Sequence, residues 1–85
     1  MAKQFIEVAA HFDPDGHVIP MLFWWGGKRY DVDRVLDVRR AASLKGGGLG
    51  IRYTCRILGK ERYLFFDDAA QQWFVEVDDP YIVPF

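Results

Sequence analysis

Hydrophobic and polar residues alternate along most of this 85-residue chain, and a period of two residues is the pattern of a β-strand with one buried face. The alternation is clearest in Gly50–Leu58, where arginine and threonine take every second position between apolar residues. In Gln4–Phe12 one face carries Ile6, Val8, Ala10 and Phe12, and the other carries Glu7 and His11. Further strand patterns occur at His17–Trp25, Tyr63–Phe66 and Gln71–Val77.

Turn signals separate these strand patterns. Asp13–Gly16 combines proline, aspartate and glycine, which predicts a tight four-residue turn. Gly26 and Gly27 predict a hairpin between the second and third segments. Because Pro20 has no N–H to donate to a ladder, the strand that contains it should be an edge strand or be bulged at that point.

The segment Lys28–Arg40 fits two interpretations. As a strand it leaves Arg34 out of pattern and places on one face Tyr30, Val32, Leu36 and Val38. As a helix it would be capped by Asp31 and ended by Gly46. The density of β-branched residues favours a strand to about Val38. A short helical turn at 40–45 is compatible with the pattern.

These patterns together predict an all-β fold, a small antiparallel meander of about six strands that curls into a barrel or half-barrel. If residues 31–45 are helical, the fold becomes α+β. Eighty-five residues make one domain, which we place at residues 1–77. Residues 78–85 contain two prolines and form a C-terminal tail.

Charge is strongly polarised along the chain although the total is −1. Residues 28–62 hold ten basic and four acidic side chains, a net charge of 10 − 4 = +6. Residues 1–27 carry −2 and residues 63–85 carry −5. A cationic middle between acidic ends favours an anionic partner for the middle segment.

A basic glycine-rich loop at residues 39–52, with its glycines within residues 46–50, lies at the centre of this cationic segment. Successive glycine N–H groups can converge on an anion, and the basic side chains around the loop would add charge-assisted contacts to phosphate. The loop lacks the Lys-Ser/Thr of a phosphate-binding loop, and the strand after it does not fit a dinucleotide site. The alternative is a flexible hairpin loop. The candidate residues for binding nucleic acid or another anion are Arg39, Arg40, Lys45, Arg52 and Arg56.

Aromatic side chains make up 16% of the chain, more than such a small core can hide. Exposed aromatics between arginines can stack on bases, whereas most of those at alternating positions should be core. Trp24 and Trp25 are adjacent, so at least one indole must point outward. They are candidates for an alternative function, protein–protein interaction or homo-oligomerisation through exposed aromatics and an edge strand.

No catalytic, metal-binding or cofactor motif stands out. Cys55 falls on the apolar face of its strand, where a thiolate is disfavoured. His11 and His17 flank the first turn, which we interpret as a hairpin rather than a metal site. A single cysteine and the lack of a signal peptide or long apolar stretch favour a cytoplasmic protein that does not enter a membrane. The expectation is therefore a non-enzymatic binding module.

Four stretches carry a resemblance to known families: Trp25–Asp37, Tyr53–Ile57, Tyr63–Phe66 and Trp73–Glu76. In this order they resemble a family of short uncharacterised bacterial β-domain proteins, a domain of unknown function. They are also similar to the small domain found beside bacterial Y-family translesion DNA polymerases. The resemblance covers roughly residues 18–77 and implies a small β-domain without assigned catalytic residues. The basic glycine loop and the acidic tail depart from it.

Overall fold

The computed structural model describes residues 2–42 and 49–77, and these residues form strands and turns without a helix. No described segment can therefore cross a membrane as a helix. The strands in chain order are β1 (Ala2–Phe12), β2 (Val18–Trp25), β3 (Lys28–Asp31), β4 (Arg34–Ala42), β5 (Leu49–Ile57), β6 (Lys60–Asp67) and β7 (Gln72–Val77).

The strands form one antiparallel sheet in the order β3-β2-β1-β7-β6-β5-β4. β1 is long enough to pair with β7 over its first half and with β2 over its second half. The two edge strands, β3 and β4, follow each other in sequence. Val32 N–H donates to the Met21 carbonyl of β2, and Asp33 N–H donates to the Arg56 carbonyl of β5. The chain therefore passes from one edge of the sheet to the other at these two residues.

The prediction of an all-β meander or half-barrel is confirmed, and the helical alternative is wrong for residues 31–42, which lie in β3, β4 and their connection. Residues 43–45, where a helical turn was also considered, lie outside the described part of the chain. The predicted placement of Leu36 is wrong. A β-bulge between Val35 and Asp37 shifts the register, so that Val35 packs against the core and Leu36 is exposed.

The turns show how local chemistry fixes the register of each hairpin. Gly26 and Gly27 both have positive φ, and Trp25 pairs with Lys28, as expected for a two-residue hairpin turn. The turn between β5 and β6 has the same form but places Leu58 at a φ of 52°, a conformation that is costly for a residue with a Cβ.

The first hairpin differs from the sequence prediction by one residue. Phe12 pairs with Val18 rather than with His17, because the connection is five residues long. It is closed by Asp13 N–H donating to the His17 carbonyl and Gly16 N–H donating to the Asp13 carbonyl. The bulge expected around Pro20 is confirmed, since the register of β1 and β2 shifts between Ala9 and Ala10 and Pro20 pairs with Ala10.

The core lies on one face of the sheet, which we call the inner face, and the opposite face is the outer face. Apolar side chains from every strand meet on the inner face, among them Phe23, Tyr53, Ile57, Phe66 and Trp73. On the outer face, Phe65 and Phe74 stack with their ring centroids 5.1 Å apart, and Phe5 meets Phe74 edge-on. Each face thus buries apolar surface.

Candidate functional site

Four arginines form two cross-strand pairs on the outer face of β4 and β5. Arg34 lies opposite Arg56, and Arg39 lies opposite Arg52. The alternation of β5 explains this placement, because Tyr53, Cys55 and Ile57 are buried on the inner face and the intervening side chains must point outward. Like charges directly opposite each other on neighbouring strands repel, so this surface, which we call the arginine face, is a concentration of positive charge.

Arg52 and Tyr63 are in contact on the arginine face. The Arg52 guanidinium carbon lies 4.6 Å from the centroid of the Tyr63 ring, a cation–π distance. The Tyr63 side chain remains 48% exposed. Arg52 Nε is buried and has no hydrogen-bond partner among the described residues. A planar cation and an accessible aromatic ring thus lie side by side on β5 and β6.

Acidic side chains neutralise the arginine face only in part. Arg39 Nε donates to Asp37 Oδ2 at 2.7 Å, and both side chains are exposed. Glu61 lies opposite Arg56 on β6, but within residues 2–42 and 49–77 neither Arg34 nor Arg56 forms an ion pair. Four arginines with Asp37 and Glu61 leave a local charge of 4 − 2 = +2.

One of the residues predicted to bind an anion, Arg40, does not join the arginine face. Arg40 lies opposite Ile51, which packs against the core, and so belongs to the inner side of β4. There its guanidinium makes two hydrogen bonds to the Asp68 carboxylate, at 2.8 and 3.3 Å. These bonds hold the pKa of Asp68 below its usual value and raise the pKa of Arg40. Lys45 lies outside the described residues.

The adjacent tryptophans of β2 point in opposite directions, as their spacing requires. Trp25 is buried in the core, whereas Trp24 is 38% exposed. Of the two candidate interaction residues, Trp24 is therefore the one at the surface. Its cross-strand neighbour on the edge strand β3 is Arg29, whose guanidinium pairs with Asp31.

The first turn gathers two carboxylates and an imidazole. The ligand atoms of Asp13, Asp15 and His17 lie within 4.8 Å of one another, a spacing that three ligands of one cation can have. The Asp13 carboxylate, however, already accepts hydrogen bonds from the backbone N–H groups of Asp15 and His17 and lies 3.1 Å from His17 Nδ1. The backbone bond from His17 contributes most to lowering the pKa of Asp13. The arrangement is that of an aspartate-stabilised turn.

Cys55 is fully buried on the inner face. Burial raises the pKa of its thiol to about 12, so the thiol stays protonated at neutral pH. Its sulfur lies 3.7 Å from the Tyr53 carbonyl oxygen of the same strand. The side chain acts as a small apolar group of the core rather than as a nucleophile.

An apolar cleft of about 520 Å³ opens between β2 and the β4–β5 hairpin. Asp13, Gly16 and His17 lie at its rim, and its walls are formed by Val18, Ile19, Val35, Val38, Ile51 and Tyr53. The Tyr53 hydroxyl crosses from β5 to β2 and donates to the Val18 carbonyl. Because this hydroxyl is partly buried, burial raises its pKa.

Sequence reasoning missed Arg34 and the cleft. Arg34 fell out of pattern because the bulge after Val35 was not foreseen, although the pairing of a basic strand with Arg52 and Arg56 was a usable signal. The cleft depends on which strands lack a neighbour, and that information is not in the local pattern. Comparisons of the chain with protein-family models, curated proteins and solved structures found no match.

Proposed function

We propose that this chain is a non-enzymatic module that binds single-stranded nucleic acid on the arginine face of β4, β5 and β6. The observation that carries the proposal is the placement of Arg34 opposite Arg56 and of Arg39 opposite Arg52. Repulsion within these two arginine pairs lowers the stability of the fold. Phosphate groups between the arginines would convert that repulsion into charge-assisted hydrogen bonds.

Tyr63 and Arg52 favour a single strand over a duplex as the ligand. Bases stack on aromatic rings and on guanidinium planes when their faces are accessible, and the Tyr63 ring is half exposed beside Arg52. A duplex offers its phosphates to the arginines but hides the base faces. The strand rise places Arg52 and Arg56 roughly 13 Å apart along β5, so one extended strand can contact both arginine pairs.

The buried and protonated Cys55 supports a role without covalent catalysis. The histidines His11 and His17 both flank the first turn, on the β1–β2 side of the sheet. His17 lies at the rim of the apolar cleft rather than on the arginine face.

Fluorescence anisotropy with a labelled oligothymidylate of about 12 nucleotides, titrated at several salt concentrations, tests the proposal. Each phosphate contact contributes about 0.7 to the slope of log K against log salt for a single strand. We expect Arg34→Gln combined with Arg56→Gln to reduce that slope by about 1.4. Tyr63→Leu should weaken binding and leave the slope unchanged.

Lys28→Gln combined with Arg29→Gln is the matched control, because it removes the same charge from β3 on the opposite edge of the sheet. It should lose much less affinity than the β4–β5 double variant. No binding at low salt, where counterion release favours association most, would overturn the proposal. Equal losses of affinity in the two double variants would show that binding depends on net charge in general and not on the arginine face. Tighter binding to a duplex of the same length would reject the single-strand preference.

A further inference from the structure

The apolar cleft is bounded by two strand edges that lack neighbours in the described part of the chain. β3 pairs with β2 only over Leu22–Trp25, so the first half of β2 has β1 alone beside it. β4 pairs with β5 alone over its whole length. The backbone bonds of Val32 and Asp33 mark the point where the chain leaves one edge and joins the other. Beyond that point the two edges enclose the cleft.

The side chains around the cleft are apolar and are incompletely covered. Val38 is 50% exposed, and Val18, Val35 and Ile51 are only partly buried where they pack against the core. A volume of about 520 Å³ lies within the range of sites that hold a ligand. The edge of β4 adds backbone N–H and C=O groups that point away from β5.

We infer that this cleft binds an extended peptide segment, which adds as a strand to the free edge of β4 and inserts alternate apolar side chains between β2 and β5. An added strand would form hydrogen bonds with the free backbone groups of β4 and would also cover the apolar walls of the cleft. A small apolar molecule would cover the walls but leave those backbone groups without partners. The edge of β2 is less available, because the Val18 carbonyl already accepts a hydrogen bond from Tyr53.

Charge at the rim adds a preference for a basic residue in the bound segment. Asp13 lines the cleft, and Asp15 lies next to it in the first turn. Asp13 is held ionised by its hydrogen bonds with the turn backbone. The partner is therefore an extended segment with apolar residues at alternate positions and a lysine or arginine at the end that reaches the turn. This site is separate from the arginine face, so each proposal can fail without the other.

Two isomeric peptides test strand addition directly. The probe is the acetylated and amidated hexapeptide Lys-Val-Thr-Val-Thr-Val, and its two isomers carry N-methyl groups on the three valines or on the other three residues. In a strand these two sets of N–H groups point to opposite sides. Binding is followed by amide chemical shifts of ¹⁵N-labelled protein, with the expected changes at residues 18–19, 34–42 and 51–53.

We expect the unmodified peptide and one isomer to bind, and the other isomer to bind at least about tenfold more weakly, because its lost hydrogen bonds face β4. Equal affinity of the two isomers would show an apolar cleft without strand addition and overturn the inference. No binding of the unmodified peptide at millimolar concentration would also overturn it.

Val38→Lys places a charge in the cleft at a half-exposed position and should abolish the shifts. Leu58→Lys is the control, since Leu58 is 66% exposed in the turn between β5 and β6, outside the cleft. Replacing the lysine of the peptide by glutamate should weaken binding to the wild type and have a smaller effect in Asp15→Asn. A dimer in light scattering that Val38→Lys separates would assign the cleft to a second copy of the chain and reject a foreign peptide.

Discussion

Cys55 should make the stability of this protein fall at alkaline pH. Its thiol is fully buried, and burial raises its pKa from an ordinary value of 9.0 to about 12. The protonated form is therefore favoured by the folded state. The resulting stabilisation is fully present below pH 9, where the thiol is protonated in both states. It is lost as the pH rises towards 12, because the unfolded thiol ionises first.

The magnitude follows from these two pKa values. At pH 10.5 the unfolded thiol is largely ionised and the folded thiol is largely protonated. Each pH unit above the unfolded pKa removes about 1.4 kcal/mol, so the loss relative to pH 7.5 is about 2 kcal/mol. For a domain of this size, whose whole stability is about 5 kcal/mol, such a loss shifts the urea midpoint clearly.

Urea unfolding of the wild type and of Cys55→Val at pH 7.5 and 10.5, in a non-thiol reductant, measures this effect. Valine is one methyl group larger than cysteine but favours a strand and cannot ionise, and only the change in stability between the two pH values is compared. The other titrating groups are common to both proteins; the pKa of Tyr53 is raised mainly by burial, which the variant keeps, and secondarily by Cys55, which it lacks. We expect the wild type to lose about 2 kcal/mol more than the variant between the two pH values. Equal losses would refute the reasoning.

Three further predictions concern single positions. Leu58→Asn should raise the free energy of unfolding by about 1 kcal/mol, because Leu58 has a φ of 52° and asparagine tolerates that conformation; an equal gain from Leu58→Ala would contradict this cause. Gly50→Ala should lower the free energy of unfolding by about 1–3 kcal/mol, because a Cβ would lie 2.9 Å from the Phe66 carbonyl oxygen; an unchanged urea midpoint would contradict this prediction. Arg34→Glu should raise the urea midpoint by replacing repulsion of Arg56 with attraction, and the gain should shrink at 1 M NaCl; equal gains at both salt concentrations would contradict it.

Strands with one buried face could be predicted from the sequence, because the polarity of each residue indicates which face of the sheet its side chain occupies. The alternation of β5 placed Arg52 and Arg56 outward and Tyr53 and Cys55 inward, and the structure has them so. The hairpin at Gly26 and Gly27 could also be predicted, because the positive φ angles of its turn depend on these two residues alone.

Features that depend on register or on distant pairing could not be read in this way. The bulge at Leu36 breaks the alternation with no local signal, so Leu36 was predicted on the apolar face and Arg34 was left out of pattern. Arg40 carries the same charge as Arg39, yet it lies on the inner side and pairs with Asp68, 28 residues away. The cleft arises from the lengths of β3 and β4 relative to their neighbours.

The order of the strands also constrains how the chain reaches its fold. β7 is the last described strand in sequence and the central strand of the sheet, and it fills the slot between β1 and β6. The neighbouring hairpins need only local contacts, but the pairing of β1 with β7 joins residues that are far apart in the chain, and such contacts form slowly. Without β7, no strand in the described residues would join β1 to β6, and the core would lack Trp73, Val75 and Val77. A chain that ends before Gln72 is therefore expected to aggregate rather than to fold as a smaller domain.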